Sequence, residues 1–77
     1  MYTVSVEEYI DNGMLLYTSV TSFIKLESAL HDYTVLVSKF SRDIVNHNML
    51  GKSFKLGFWQ DGKEIYSQVF ADIFAEL

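Results

Sequence analysis

The stretch FKLGFWQDGKEIY, residues 54–66, decides the fold. Phe54, Leu56 and Phe58 alternate with Lys55, Gly57 and Trp59, the period of a half-buried strand. They then meet Asp61-Gly62, a dipeptide that accepts positive φ at both central positions of a two-residue hairpin turn. Closing the turn with two residues sets Ile65 opposite Phe58, Tyr66 opposite Gly57 and Val69 opposite Phe54. In that register the Tyr66 ring covers a strand glycine. Alternation sends Phe54, Leu56, Phe58, Ile65 and Val69 to one face, and Trp59 and Tyr66 to the other.

A second hairpin signal lies in residues 3–20, TVSVEEYIDNGMLLYTSV. Residues 2–10 alternate as a half-buried strand, and residues 14–23 are rich in β-formers. Two loops are open here. A two-residue Asn12-Gly13 loop pairs Val4 with Thr21 and Val6 with Ser19. A three-residue loop, with Gly13 left-handed as a bulge, pairs Val4 with Val20 and Ile10 with Met14. The second puts more apolar pairs on one face and is preferred.

Between the hairpins the period changes. Over residues 25–48, Leu26, Leu30, Tyr33, Val37, Phe40 and Ile44 form one apolar stripe of a helix, flanked by Ala29 and Leu36. At 1.5 Å per residue this helix is roughly 30–36 Å long, enough to lie across a sheet. Glu27 and Asp32 lie toward its start and Lys39 and Arg42 toward its end, as the helix dipole favours. Asn48 and Gly51 offer the stop, while no capping box marks the start. The stripe predicts Leu30, Tyr33, Val37, Phe40 and Ile44 as the helix side of the core. The last residues change period again: Val69, Phe70, Ile73, Phe74 and Leu77 fit one side of a short terminal helix better than a strand. The expected fold is α+β, a single domain over residues 1–77. Its order is ββαββ, with a four-stranded antiparallel sheet carrying one long helix on one face.

Composition limits the chemistry. The 77 residues contain no cysteine and 49% hydrophobic residues, so burial of large side chains must hold a domain near the lower size limit. Net charge is −4, with acidic excess in both end segments, which argues against duplex nucleic acid as a partner. No apolar run is long enough to span a bilayer, and no basic segment precedes an apolar run at the start. A cytoplasmic protein is expected, in the host cytoplasm if the chain is viral.

No catalytic constellation stands out. His31 and His47 are sixteen residues apart on one helix, which separates them by about 24 Å and rules out a shared metal or proton. Glu7 and Glu8 are neighbours on a strand and face opposite sides of the sheet. No GxxxxGK[ST], GxGxxG or GxSxG occurs. The sequence therefore predicts no catalytic residue, no metal ligand and no cofactor.

The aromatic residues left outside the core carry the functional reading. Trp59, Tyr66 and Tyr9 are expected on the sheet face away from the helix, with Glu7 and Glu64 near them. Aromatic anchors in an acidic surround suit a protein partner with a basic counterpart. The expectation is a non-catalytic binding module, a small acidic inhibitor or regulator of a larger protein, of the phage type that acts on host or defence proteins. Two alternatives remain: single-stranded nucleic acid stacked on an aromatic sheet face, and a homodimer joined through an open face or an edge strand.

Overall fold

The computed structural model describes residues 1–10 and 13–71, and the elements follow the expected order. They are β1 (Tyr2–Ile10), β2 (Leu15–Phe23), α1 (Leu26–Val45), β3 (Lys52–Gln60) and β4 (Lys63–Ala71). The four strands form one antiparallel sheet in the order β2-β1-β3-β4. The two hairpins are thus joined through their inner strands, with Val4 opposite Phe58 and Val6 opposite Leu56. The helix lies on one face, making a single ββαββ α+β domain. Among the described residues no helix is long and apolar enough to cross a membrane.

The core forms where α1 passes over the two central strands. Val4, Leu56 and Phe58 come from those strands, Phe70 from β4, and Ala29 and Phe40 from the helix. Phe40 stacks on Phe54 with centroids 4.7 Å apart and leans on Phe70 at 5.5 Å. Such pairs add specific attraction to the area that they bury. Ala29 is fully buried, where a small side chain lets the helix backbone come close to the sheet. Tyr33, Leu36, Val37 and Ile44 pack against this centre and are half-buried. Leu30 departs from the expected core: it is 47% exposed. It lies about 80° around the helix from Phe40, at the margin of the stripe that faces β4.

Both edge strands depart from the expected registers, and for the same reason. In the first hairpin Ile10 N–H donates to the Met14 carbonyl at 3.1 Å, as the three-residue loop requires, and Gly13 has φ +82°. The register then shifts beside Glu8 and Tyr9, leaving Leu16 as the extra residue. Beyond the bulge, Val4 faces Thr21 and Val6 faces Ser19, so the preferred Val4–Val20 pairing is not formed. In the second hairpin Asp61 and Gly62 form the turn, and both have positive φ. A bulge follows at once, with Ile65 as its extra residue. Phe58 therefore faces Tyr66, Gly57 faces Ser67 and Phe54 faces Phe70. These pairings replace those expected for Ile65, Tyr66 and Val69. In each edge strand the bulge exchanges a valine for a phenylalanine at the helix side. Phe23 and Phe70 turn inward, while Val20 and Val69 turn out at 61% and 67% exposure. A phenylalanine removes more apolar area from water than a valine, and a one-residue shift is the only way to reverse strand parity.

The helix ends differently from the expected stop. His47 takes φ +57°, its N–H donates to the Ile44 carbonyl, and the Asn48 N–H donates to the Asp43 carbonyl at 2.8 Å. That is a Schellman motif with histidine in the position that glycine usually fills. The turn carries Met49 into the core, where it is 2% exposed. Val69 and Phe70 belong to β4, not to a terminal helix. Asp11 and Asn12 of the first turn, and the expected helical positions Ile73, Phe74 and Leu77, lie outside the described residues.

Two stability changes follow. Phe40→Ala should cost roughly 3–5 kcal/mol in urea denaturation, a large part of the stability of so small a domain. Gly13→Val should lower stability by roughly 1–2 kcal/mol, because a β-branched residue takes the φ of +82° found there only under strain.

Candidate functional site

The sheet face away from the helix is built mainly from small polar side chains. Thr3, Ser5 and Glu7 of β1, Thr18 and Val20 of β2, and Lys55, Trp59 and Glu64 of the second hairpin line a shallow groove of about 470 Å³. Trp59 is half-buried in it. Its indole N–H donates to Ser5 Oγ at 2.9 Å, which holds the ring down along the sheet. Gly57 makes room for that ring: a Cβ there would lie 2.9 Å from Trp59 Nε1 and 2.5 Å from Ser5 Oγ. The aromatic cover of this strand glycine is thus Trp59, where the sequence pointed to Tyr66. Lys55 Nζ lies 3.7 Å from Glu64 Oε2, so the groove mouth carries both signs of charge.

Of the five expected partner-binding residues, Trp59, Tyr9, Glu7 and Glu64 share this face by strand parity. Tyr66 does not. The bulge at Ile65 turns Tyr66 to the helix side, where its ring meets that of Tyr33 at 6.0 Å. The continuous Trp59–Tyr66 patch expected from simple alternation is therefore absent.

The bulge builds another feature instead. Leu26, Leu30 and Tyr33 of α1 face Phe58, Ile65 and Tyr66 across a cleft of about 410 Å³. Its wall is apolar apart from two phenol hydroxyls. Leu26, Leu30, Ile65 and Tyr66 are each 45–57% exposed, so the apolar surface is open to an incoming group. Tyr33 lies against Phe58 edge-on at 5.8 Å. Its hydroxyl is shielded from solvent and has no hydrogen-bond partner among the described residues. Burial first, and then the phenol of Tyr66 and the carboxylate of Glu64, push the Tyr33 pKa up to about 12. At neutral pH the phenol is a neutral donor.

A third groove, of about 310 Å³, runs along the other flank of α1, between the helix and β2. Lys39 and Asp43 border it on the helix side and Glu8 on the sheet side. Glu8 pairs with Lys52 at 3.3 Å, which accounts for a carboxylate on the apolar face of β1.

Sequence reasoning missed Ile65 and Leu30 as cleft residues because it placed both in the core. The available signal was the apolar content of both parities in β4, Ile65 and Val69 on one and Tyr66 and Phe70 on the other. His31 and His47 are exposed. Among the described residues no group of three or more His, Cys, Asp or Glu side chains is close enough to hold a metal ion. Comparison of the chain with family models, curated proteins and solved structures finds no match.

The Tyr33 environment predicts a pH dependence. Below about pH 10 the phenol is neutral in both the folded and the unfolded chain. Between pH 10 and about 12 the unfolded chain gives up the proton while the folded one keeps it. Folding stability contributed by neutral Tyr33 is therefore present at neutral pH and lost across that window. Tyr33→Phe should keep its stability at neutral pH, since it removes an unsatisfied hydroxyl, and should lose less than the parent chain in alkaline titrations followed by circular dichroism.

Proposed function

We propose that this chain is a non-catalytic protein-binding module whose docking site is the cleft between α1 and β4. The observation that carries this reading is the cleft itself: exposed Leu26, Leu30, Ile65 and Tyr66 around a neutral Tyr33 hydroxyl that has no hydrogen-bond partner among the described residues. Its chemistry suits an apolar or aromatic side chain of a partner, with one polar atom able to pair with the phenol. Open pockets lined by Leu, Ile and Tyr take such anchors because burying them recovers apolar area with little loss of side-chain freedom. A net charge of −4, with Glu64 near enough to act on Tyr33, favours basic residues flanking the anchor.

A module of this kind acts by occupying a surface of a larger protein, as an inhibitor or regulator does. The groove on the opposite face is a poorer candidate for stacked nucleotides. Trp59 is already held by Ser5, and Glu7 and Glu64 line the same groove, where phosphates would meet like charge.

Selection from a random displayed peptide library tests the reading. Peptides with a large apolar residue beside Lys or Arg should be recovered, and their binding should be lost in Leu30→Glu and kept in Trp59→Ala. Peptides that ignore Leu30→Glu and are lost in Trp59→Ala would move the site to the other face. Salt-sensitive binding of oligodeoxythymidine, lost in Trp59→Ala, would replace the protein-binding reading by the nucleic-acid one.

A further inference from the structure

The two edges of the sheet are not equivalent. An edge strand presents unpaired backbone N–H and C=O groups to any strand that can reach them, and natural sheets blunt such edges with charge, proline or bulges. The β4 edge starts with Lys63 and Glu64 and bulges immediately at Ile65. The β2 edge, LLYTSVTSF, has no charged residue and no proline. It lies within residues 12–24, a run without Asp, Glu, Lys, Arg or His and the longest of its kind in the chain. Its bulge falls near the turn, at Leu16, and leaves the strand regular from Tyr17 to Phe23. Leu15, Leu16, Tyr17 and Val20 on this strand are 49–61% exposed.

We infer that the β2 edge is a surface for a second copy of this chain, the two β2 strands pairing antiparallel about a two-fold axis to extend the sheet from four strands to eight. The unpaired backbone groups call for a strand as occupant. Charge selects which strand. In a chain of net charge −4, two copies repel one another through their acidic surfaces. Antiparallel pairing about a two-fold axis sets the axial residue opposite its own symmetry mate, so a charge there would face its like. The β2 strand carries none.

A register with Val20 on the axis sets Tyr17 opposite the second copy's Phe23, and Thr18 opposite its Ser22. Tyr17 and Phe23 both point to the helix side, so the pairing creates two cross-strand aromatic pairs. The cleft at β4 lies at the far edge of the sheet. Each dimer therefore leaves two clefts free, and dimerisation stands or falls separately from the binding reading.

Sedimentation velocity of the full chain, from micromolar to millimolar concentration, tests the inference. The expected species has twice the 8.9 kDa chain mass. Val20→Lys, which sets two ammonium groups at the axis from a 61% exposed position, should sediment as a monomer with an unchanged circular dichroism spectrum. Val20→Glu, which sets two carboxylates at the axis, gives the same reading should Val20→Lys fail to fold. Val69→Lys, equally exposed but on β4, should remain a dimer. A parent chain that stays monomeric over the whole range overturns the inference. So does a dimer that survives the β2 substitutions, or one that Val69→Lys dissociates.

Discussion

One helix cannot cover four strands, and most features of this molecule follow from that mismatch. An α-helix with its side chains is about 10–12 Å across. Four strands at about 4.8 Å spacing make a sheet nearly twice as wide. The helix therefore buries what lies beneath its axis, the central strands β1 and β3, and leaves a flank on either side. Val4, Leu56 and Phe58 under the helix are almost wholly buried, while β2 has no fully buried residue. The cleft toward β4 and the groove toward β2 are those two flanks. The edge phenylalanines answer the same constraint. Phe70 reaches under the helix to Phe40, and Phe23 packs against the core from the other edge.

Elements set by local chemistry were legible in the sequence. The Asp61-Gly62 turn, the left-handed Gly13, the alternation of β3 and the phase of the helix stripe each depend on a few neighbouring residues. Trp59 on the outer face follows from Phe58 being inside, because no bulge interrupts β3 between them. Parity in the edge strands was not legible. Both β2 and β4 contain apolar residues in odd and even positions, so a sequence pattern cannot choose between them. The choice depends on which side chain gains more from the helix above, a tertiary matter. Tyr66 was misplaced for this reason, and the expected partner surface was split between two faces. His47 escaped notice because a left-handed histidine has no compositional mark, and Met49 because its burial depends on the path of the chain after the helix.

The surfaces left by this arrangement differ in kind. The outer face is mostly hydroxyl-rich, with its one indole already engaged. The β4 flank is concave and apolar, with a shielded phenol. The β2 edge is linear and free of charge, and its chemistry resides in the backbone. A concave apolar flank suits a side chain, and a charge-free edge suits a strand. The two surfaces lie on opposite margins of one sheet, so the proposed docking and the proposed pairing do not compete for the same residues.

The Trp59–Ser5 hydrogen bond has a further consequence for how the molecule forms. Each hairpin pairs strands that are neighbours in sequence. The sheet exists only when β1 meets β3, which requires the intervening helix to fold back over the junction. Of the three strand pairings, this one closes the longest loop and carries the largest closure entropy. Ser5 and Trp59 sit on opposite sides of that seam, 54 residues apart in sequence. The only tryptophan in the chain is thus an intrinsic optical reporter of the joining of the two hairpins into one sheet.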